Sequence, residues 1–97
     1  MRPSQILRKR RAEMLEIMKR YPMLANLRVF GSVARGDDTE KSDIDFLVDA
    51  LPGTTLFNLG GAQVELERLF EVPVHLLASD ELPPQILNTS LQEAVPV

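Results

Sequence analysis

Val29-Phe30-Gly31-Ser32-Val33-Ala34-Arg35-Gly36, followed by a polar connection and then Ser42-Asp43-Ile44-Asp45-Phe46-Leu47-Val48, is the stretch on which the fold turns. Leu27 to Phe30 is a short run with an apolar end. Gly31 directly after it lets backbone approach a ligand with no side chain in the way. Ser32 is placed to N-cap a short helical turn. The first amides of such a turn have no internal partner and carry the positive end of the local dipoles, so they suit a phosphate oxygen. The Ser32 hydroxyl adds a donor, and Arg35 adds a fixed positive charge.

Asp43 to Asp49 alternates as a strand does, with Ile44, Phe46 and Val48 on one face and Asp43, Asp45, Leu47 and Asp49 on the other. Asp43 and Asp45 are then neighbours with Cα atoms roughly 7 Å apart, near enough to bracket metal ions. At an effective dielectric of about 20, two full charges at that distance repel by about 2 kcal/mol, a penalty that a divalent cation removes. Magnesium prefers carboxylate, water and phosphate oxygens, and two carboxylates beside a phosphate cradle meet that preference. Two ions about 4 Å apart would divide an in-line displacement between the attacking oxygen and the triphosphate, and the reaction class implied is nucleotidyl transfer. Ser42, just before the aspartates, joins Gly31, Ser32 and Arg35 as a nucleotide-binding candidate. The turn has no Lys of the Walker kind. The plainer alternative is that Gly31 and Gly36 flank a tight turn and residues 37–42 form a solvated loop.

At these residues the chain resembles the polymerase-beta-like nucleotidyltransferases, in particular the minimal nucleotidyltransferase domains that accompany HEPN-domain proteins as antitoxins. The resemblance takes in the Gly-Ser-x-Ala-Arg-Gly turn, the Ser-Asp-Ile-Asp-Phe-Leu-Val strand, a helix over residues 56–70 and the closing segment 82–97. It implies an α+β fold, a small mixed β-sheet flanked by helices. Gly31 and Ser32 would lie at the triphosphate and Asp43 and Asp45 on magnesium, with manganese as the substitute ion. It also implies ATP or another nucleoside triphosphate as donor, and transfer of a nucleoside monophosphate to a hydroxyl of a HEPN-type toxin. The alternative is a non-catalytic antitoxin or nucleotide-binding module that neutralises its HEPN partner by complex formation.

The departure from the family pattern is at His75. Relatives carry a third carboxylate in a strand reading Val-Asp-Leu-Val, and here the matching stretch is Val74-His75-Leu76-Leu77. Alternation points His75 away from Val74 and Leu76, where the missing acid would point. It is a strand residue with a satisfied hydrogen bond, a substitute ligand or catalytic base, or the relic of a lost activity. Imidazole suits zinc, copper or iron better than hard magnesium.

Ninety-seven residues suit one compact domain, residues 1–97, with a small core. With no cysteine, disulfide frameworks and thiolate metal sites are excluded. The lack of a long apolar run or leader-like segment predicts a cytoplasmic protein without a membrane span. The net charge of −3 hides a basic first third, with Arg2, Arg8, Lys9, Arg10, Arg11, Lys19, Arg20 and Arg28. Such a face could attract nucleic acid, but without interleaved aromatics a solvated helix face is the simpler reading. Ser4 as N-cap and the spacing of Leu7, Met14, Leu15, Met18 and Tyr21 predict an amphipathic helix over residues 4–20, stopped by Pro22. In the 56–70 helix, Leu56, Leu59, Leu66, Leu69 and Phe70 form the predicted apolar stripe. Gly60 and Gly61 would allow close packing on the sheet, and Glu65, Glu67 and Glu71 would face solvent. A third strand is expected over residues 72–77, and a last helix from Pro83-Pro84 through Ala94.

Overall fold

The structure, a computed structural model, describes residues 1–97. Two short helices, α1 (Pro3–Lys9) and α2 (Arg11–Met18), stand where one helix was expected. The helix breaks at Arg10 (φ −105°, ψ 20°), and the two pieces pack differently: α1 touches two other helices, while α2 lies mainly along one. The N-cap is Arg2 rather than Ser4, and the Ser4 amide donates instead to Asp38 Oδ2 at 2.9 Å.

Strand β1 (Leu24–Phe30) runs into the short helix α3 (Gly31–Arg35), and strand β2 (Ile44–Ala50) returns antiparallel to it. Helix α4 (Leu56–Phe70) carries the chain over to strand β3 (Val74–Ala78), which pairs parallel with β2, as a helical crossover permits. A 3₁₀ turn (Ser79–Glu81) and helix α5 (Pro84–Glu93) lead to a two-residue strand, β4 (Val95–Pro96), antiparallel to β1. The sheet order is β3-β2-β1-β4, a mixed sheet flanked by helices, as expected.

The alternation in β2 does what its pattern requires. Ile44, Phe46 and Val48 are fully buried beneath α4, which contributes Ala62, Leu66 and Phe70 at i, i+4 and i+8. The Phe46 and Phe70 rings stack with centroids 6.1 Å apart. Burying each such side chain is worth about 2–3 kcal/mol, and this layer holds β2 flat against the helices so that its other face can carry polar groups. Met14 is wholly buried in the same cluster.

Three expectations about α4 need correction. Leu56 is 80% exposed and sits outside the apolar stripe, which Leu59, Leu66, Leu69 and Phe70 make. Gly61 makes room for Tyr21, whose hydroxyl would lie 3.1 Å from an added Cβ, and not for the sheet; Gly60 faces open space. Glu65 is not solvent-facing: it accepts a short hydrogen bond from the Tyr21 hydroxyl and pairs with Arg20. That bond to a carboxylate, with burial, pushes the Tyr21 hydroxyl up from its ordinary pKa.

Candidate functional site

The polar face of the sheet gathers the candidate residues where β1 ends and β2 begins. Phe30 pairs with Asp45, so Gly31, one step past the end of β1, meets the Asp45 side chain. Gly31 has φ +71°, in the left-handed region where a Cβ is disfavoured, and a Cβ there would lie 2.6 Å from Asp45 Oδ2. Glycine is thus required twice, by its backbone angle and by the carboxylate against it.

Helix α3 follows at once. Its N-cap is Phe30, not Ser32, which is the second helical residue, and no side chain caps its amides. Gly36 closes the helix in the left-handed conformation, its N–H donating to the Ser32 carbonyl at 2.9 Å.

Asp43 lies one residue before β2, and its Oδ2 is 3.0 Å from His75 Nε2. The parallel ladder places His75 directly opposite Asp45. Asp43, Asp45 and His75 are therefore brought together, on the face the alternation assigned to them. Burial pushes the Asp45 carboxyl above its ordinary pKa; Asp43 adds to the rise, while His75 and Arg35 oppose it. Two acidic groups and a glycine turn thus form a site where negative charge is already strained and a cation would be welcome.

Arg35 and Ser42 are engaged locally. Arg35 bonds Asp37 through Nε at 3.2 Å and Glu93 through Nη1 at 3.1 Å. It is still close enough to Asp45 to lower its pKa. The Ser42 hydroxyl accepts the Thr39 N–H at 2.9 Å, stapling the loop before Asp43. That loop is not uniformly solvated, because Asp38 is buried. Its burial, which alone would raise the carboxyl pKa, is outweighed by the Ser4 hydrogen bonds and nearby Arg2, and the net shift is downward.

Further along the same face, Asp49 accepts from Arg28, from Asn26 at 2.8 Å and from Ser79 at 2.9 Å. The Arg28 contact above all holds its carboxyl down to about 2. Sequence reasoning missed this cluster, and the pairing of residues 28 and 49 follows only from the β1–β2 register.

No group of three or more His, Asp or Glu side chains is disposed to hold a metal ion by protein ligands alone. Asp43 and Asp45 are the residues that could hold a hard divalent ion whose remaining ligands are phosphate and water. The larger of two cavities, about 250 Å³, is lined by Leu7, Met14, Val29, Val33 and Val97 and lies away from these groups. The carboxylate site is an open surface.

Comparison with known proteins shows the family and the fold. The model of the nucleotidyltransferase domain family matches residues 11–97. "Putative protein adenylyltransferase MJ0126" of Methanocaldococcus jannaschii is 33% identical over 90 residues, 93% of this chain and 88% of that protein. "Putative protein adenylyltransferase MJ0435" of the same organism is 38% identical over 69 residues, 71% of this chain and 74% of that one. A solved chain described as a "putative minimal nucleotidyltransferase" superposes with TM-score 0.86 at 37% identity, covering 97% of this chain and 95% of its own. A toxin-antitoxin structure with AMP-PNP shares the fold at TM-score 0.76 and 17% identity, over 88% of this chain and 69% of that one.

Proposed function

The chain belongs to the nucleotidyltransferase domain family and is a nucleotidyltransferase, and from that premise we propose that it moves AMP from ATP, with magnesium, onto a hydroxyl of a HEPN-type toxin. The observation that carries this reading is the Asp45 carboxylate lying against Gly31, which joins the acidic pair to an uncapped helix start. Asp43 and Asp45 would hold the ion, which would supply positive charge to neutralise the triphosphate. Gly31 and Ser32 offer backbone amides to phosphate oxygens. Arg35 and Ser42 complete the nucleotide contacts once freed from their local partners. The acceptor oxygen bonds to the α-phosphorus as the link to the β-phosphate breaks, and pyrophosphate leaves. His75, its Nε2 held by Asp43, has Nδ1 free to take the acceptor proton.

A protein acceptor and an adenylyl donor are supported by the names of the two relatives, and a toxin partner by the toxin-antitoxin fold neighbour. The His75–Asp43 contact favours a second reading, in which the chain binds nucleotide and neutralises its HEPN partner by complex formation without transfer. Incubation with α-labelled ATP, magnesium and a co-expressed HEPN partner separates the two. Label on the partner, abolished by Asp43→Ala and by Asp45→Ala, is the expected result. A stoichiometric complex with no label, indifferent to both substitutions, rejects transfer.

A further inference from the structure

We propose that the apolar groove beside α3 is where the acceptor protein docks, and that it takes a segment whose apolar side chains are flanked by carboxylates. The inference rests on the reading above that the acceptor is a protein. Leu7 on α1, Val33 and Ala34 on α3, and Val95 and Val97 in and after β4 wall a cavity of about 250 Å³. Arg8 and Arg11 share that lining. Ser4, Leu7, Arg8 and Arg11 recur at i, i+3, i+4 and i+7, so α1 and the first residue of α2 turn one side to the groove.

Charge selects the occupant. The chain carries 14 acidic and 11 basic side chains, and Arg10, Lys19, Arg20, Arg28 and Arg35 each have a carboxylate at ion-pair distance. Arg8 and Arg11 have none. Arg11 donates only to the Val97 carbonyl, at 3.2 Å, and the Arg8 side chain bonds nothing. In a molecule with acids to spare, two exposed arginines left without a carboxylate beside an apolar groove complement an acidic partner. The volume points the same way. It falls below the roughly 300–1,000 Å³ of pockets that enclose a small molecule, and suits inserted side chains, as when an amphipathic helix lays its apolar face in a groove. No aromatic side chain lines it, so single-stranded nucleic acid would find no platform for stacking. The groove also adjoins the reaction site. Within the five residues of α3, Gly31 and Ser32 are the proposed phosphate contacts, and Val33 and Ala34, next in the chain, line the groove.

The test uses the full chain and the co-expressed HEPN partner of the transfer assay. Arg8→Glu with Arg11→Glu should weaken the complex about tenfold at about 50 mM salt, chiefly through slower association, with the gap closing at about 500 mM. Affinity for a non-hydrolysable ATP analogue should stay unchanged. Arg8→Glu alone, which breaks no contact in the molecule, should weaken binding about threefold and decides the matter if the double variant does not fold. A photo-crosslinking residue in place of Val95, which is 46% exposed, should capture a partner segment bearing apolar and acidic side chains. Undiminished affinity in Arg8→Glu, or a cross-link to a basic segment, to a second copy of this chain or to co-purified RNA, overturns the proposal. Label on the partner with binding indifferent to the arginines leaves transfer standing and removes this docking site. A groove-bound complex without label does the reverse, and the absence of both complex and label sinks both.

Discussion

Replacing Asp45 with Asn should stabilise the unliganded protein and abolish its response to nucleotide and divalent ion. The Asp45 carboxyl is held above its ordinary pKa by burial first, with Asp43 adding to the effect and His75 and Arg35 opposing it. A carboxyl whose pKa rises on folding makes the native state the tighter proton binder. Stability therefore declines as pH climbs from the unfolded value of about 4 through the higher folded one, and the full penalty is present at neutral pH. His75 and Arg35 offset the Asp43 repulsion, so burial of the charge is the cause that counts, and for this part-exposed side chain it costs on the order of 1 kcal/mol. Asn keeps the shape and removes the charge. In a domain of this size about 1 kcal/mol raises Tm by roughly 5 °C. The assay is thermal unfolding by circular dichroism at pH 7.5, first in EDTA, then with magnesium and a non-hydrolysable ATP analogue. Ligand at about a hundred times its Kd adds about 2.7 kcal/mol to the wild type and should add nothing to Asp45→Asn. A variant that melts lower than wild type in EDTA, or gains as much from the ligand, refutes the reasoning.

Two further outcomes follow from the same geometry. Gly31→Ala should cost more than Gly36→Ala. Both glycines have positive φ, worth about 1–2 kcal/mol of strain for alanine, but only at Gly31 would the new Cβ strike Asp45, since Gly36 has open space around it. Urea unfolding compares the two, and equal losses would show that the Asp45 contact is unimportant. Asp49, held at about 2 chiefly by Arg28, contributes stability that is full above about pH 4 and lost as pH falls through about 2. With that side chain 39% exposed, the contribution after solvent screening is about 1 kcal/mol. A carboxyl carbon NMR titration should place its midpoint well below those of exposed aspartates, and an ordinary midpoint would deny the Arg28 pairing.

How much of this was legible depended on whether the cause was local. Alternation in Ile44–Val48 fixed both faces of β2, so the aspartates and the core stripe could be assigned from the sequence, and the His75 face followed likewise. Helix α4 was legible because its apolar residues recur at helical spacing; its Thr55 cap is a finding of the structure. What could not be read was set by distant partners. The two-residue β4 exists only because it finds Arg28 and Val29. Glu65 is drawn in by Tyr21, and Asp38 is buried because it receives the Ser4 amide from α1. Within the site, the Asp43–His75 contact needed the parallel register of β2 and β3, and the Glu93 that engages Arg35 comes from the far end of the chain. The Gly-Ser turn was located correctly, while its cap was assigned to Ser32 instead of Phe30 because backbone conformation, not residue type, decides that position.

The most direct measurement is a crystal structure with manganese and the non-hydrolysable ATP analogue, with anomalous scattering used to locate the metal. The peak is predicted between the Asp43 and Asp45 carboxylates, with the triphosphate against the Gly31 and Ser32 amides. Nucleotide and metal bound elsewhere, for instance in the apolar groove beside Leu7 and Val97, with the two aspartates left bare, would contradict the assignment of this site.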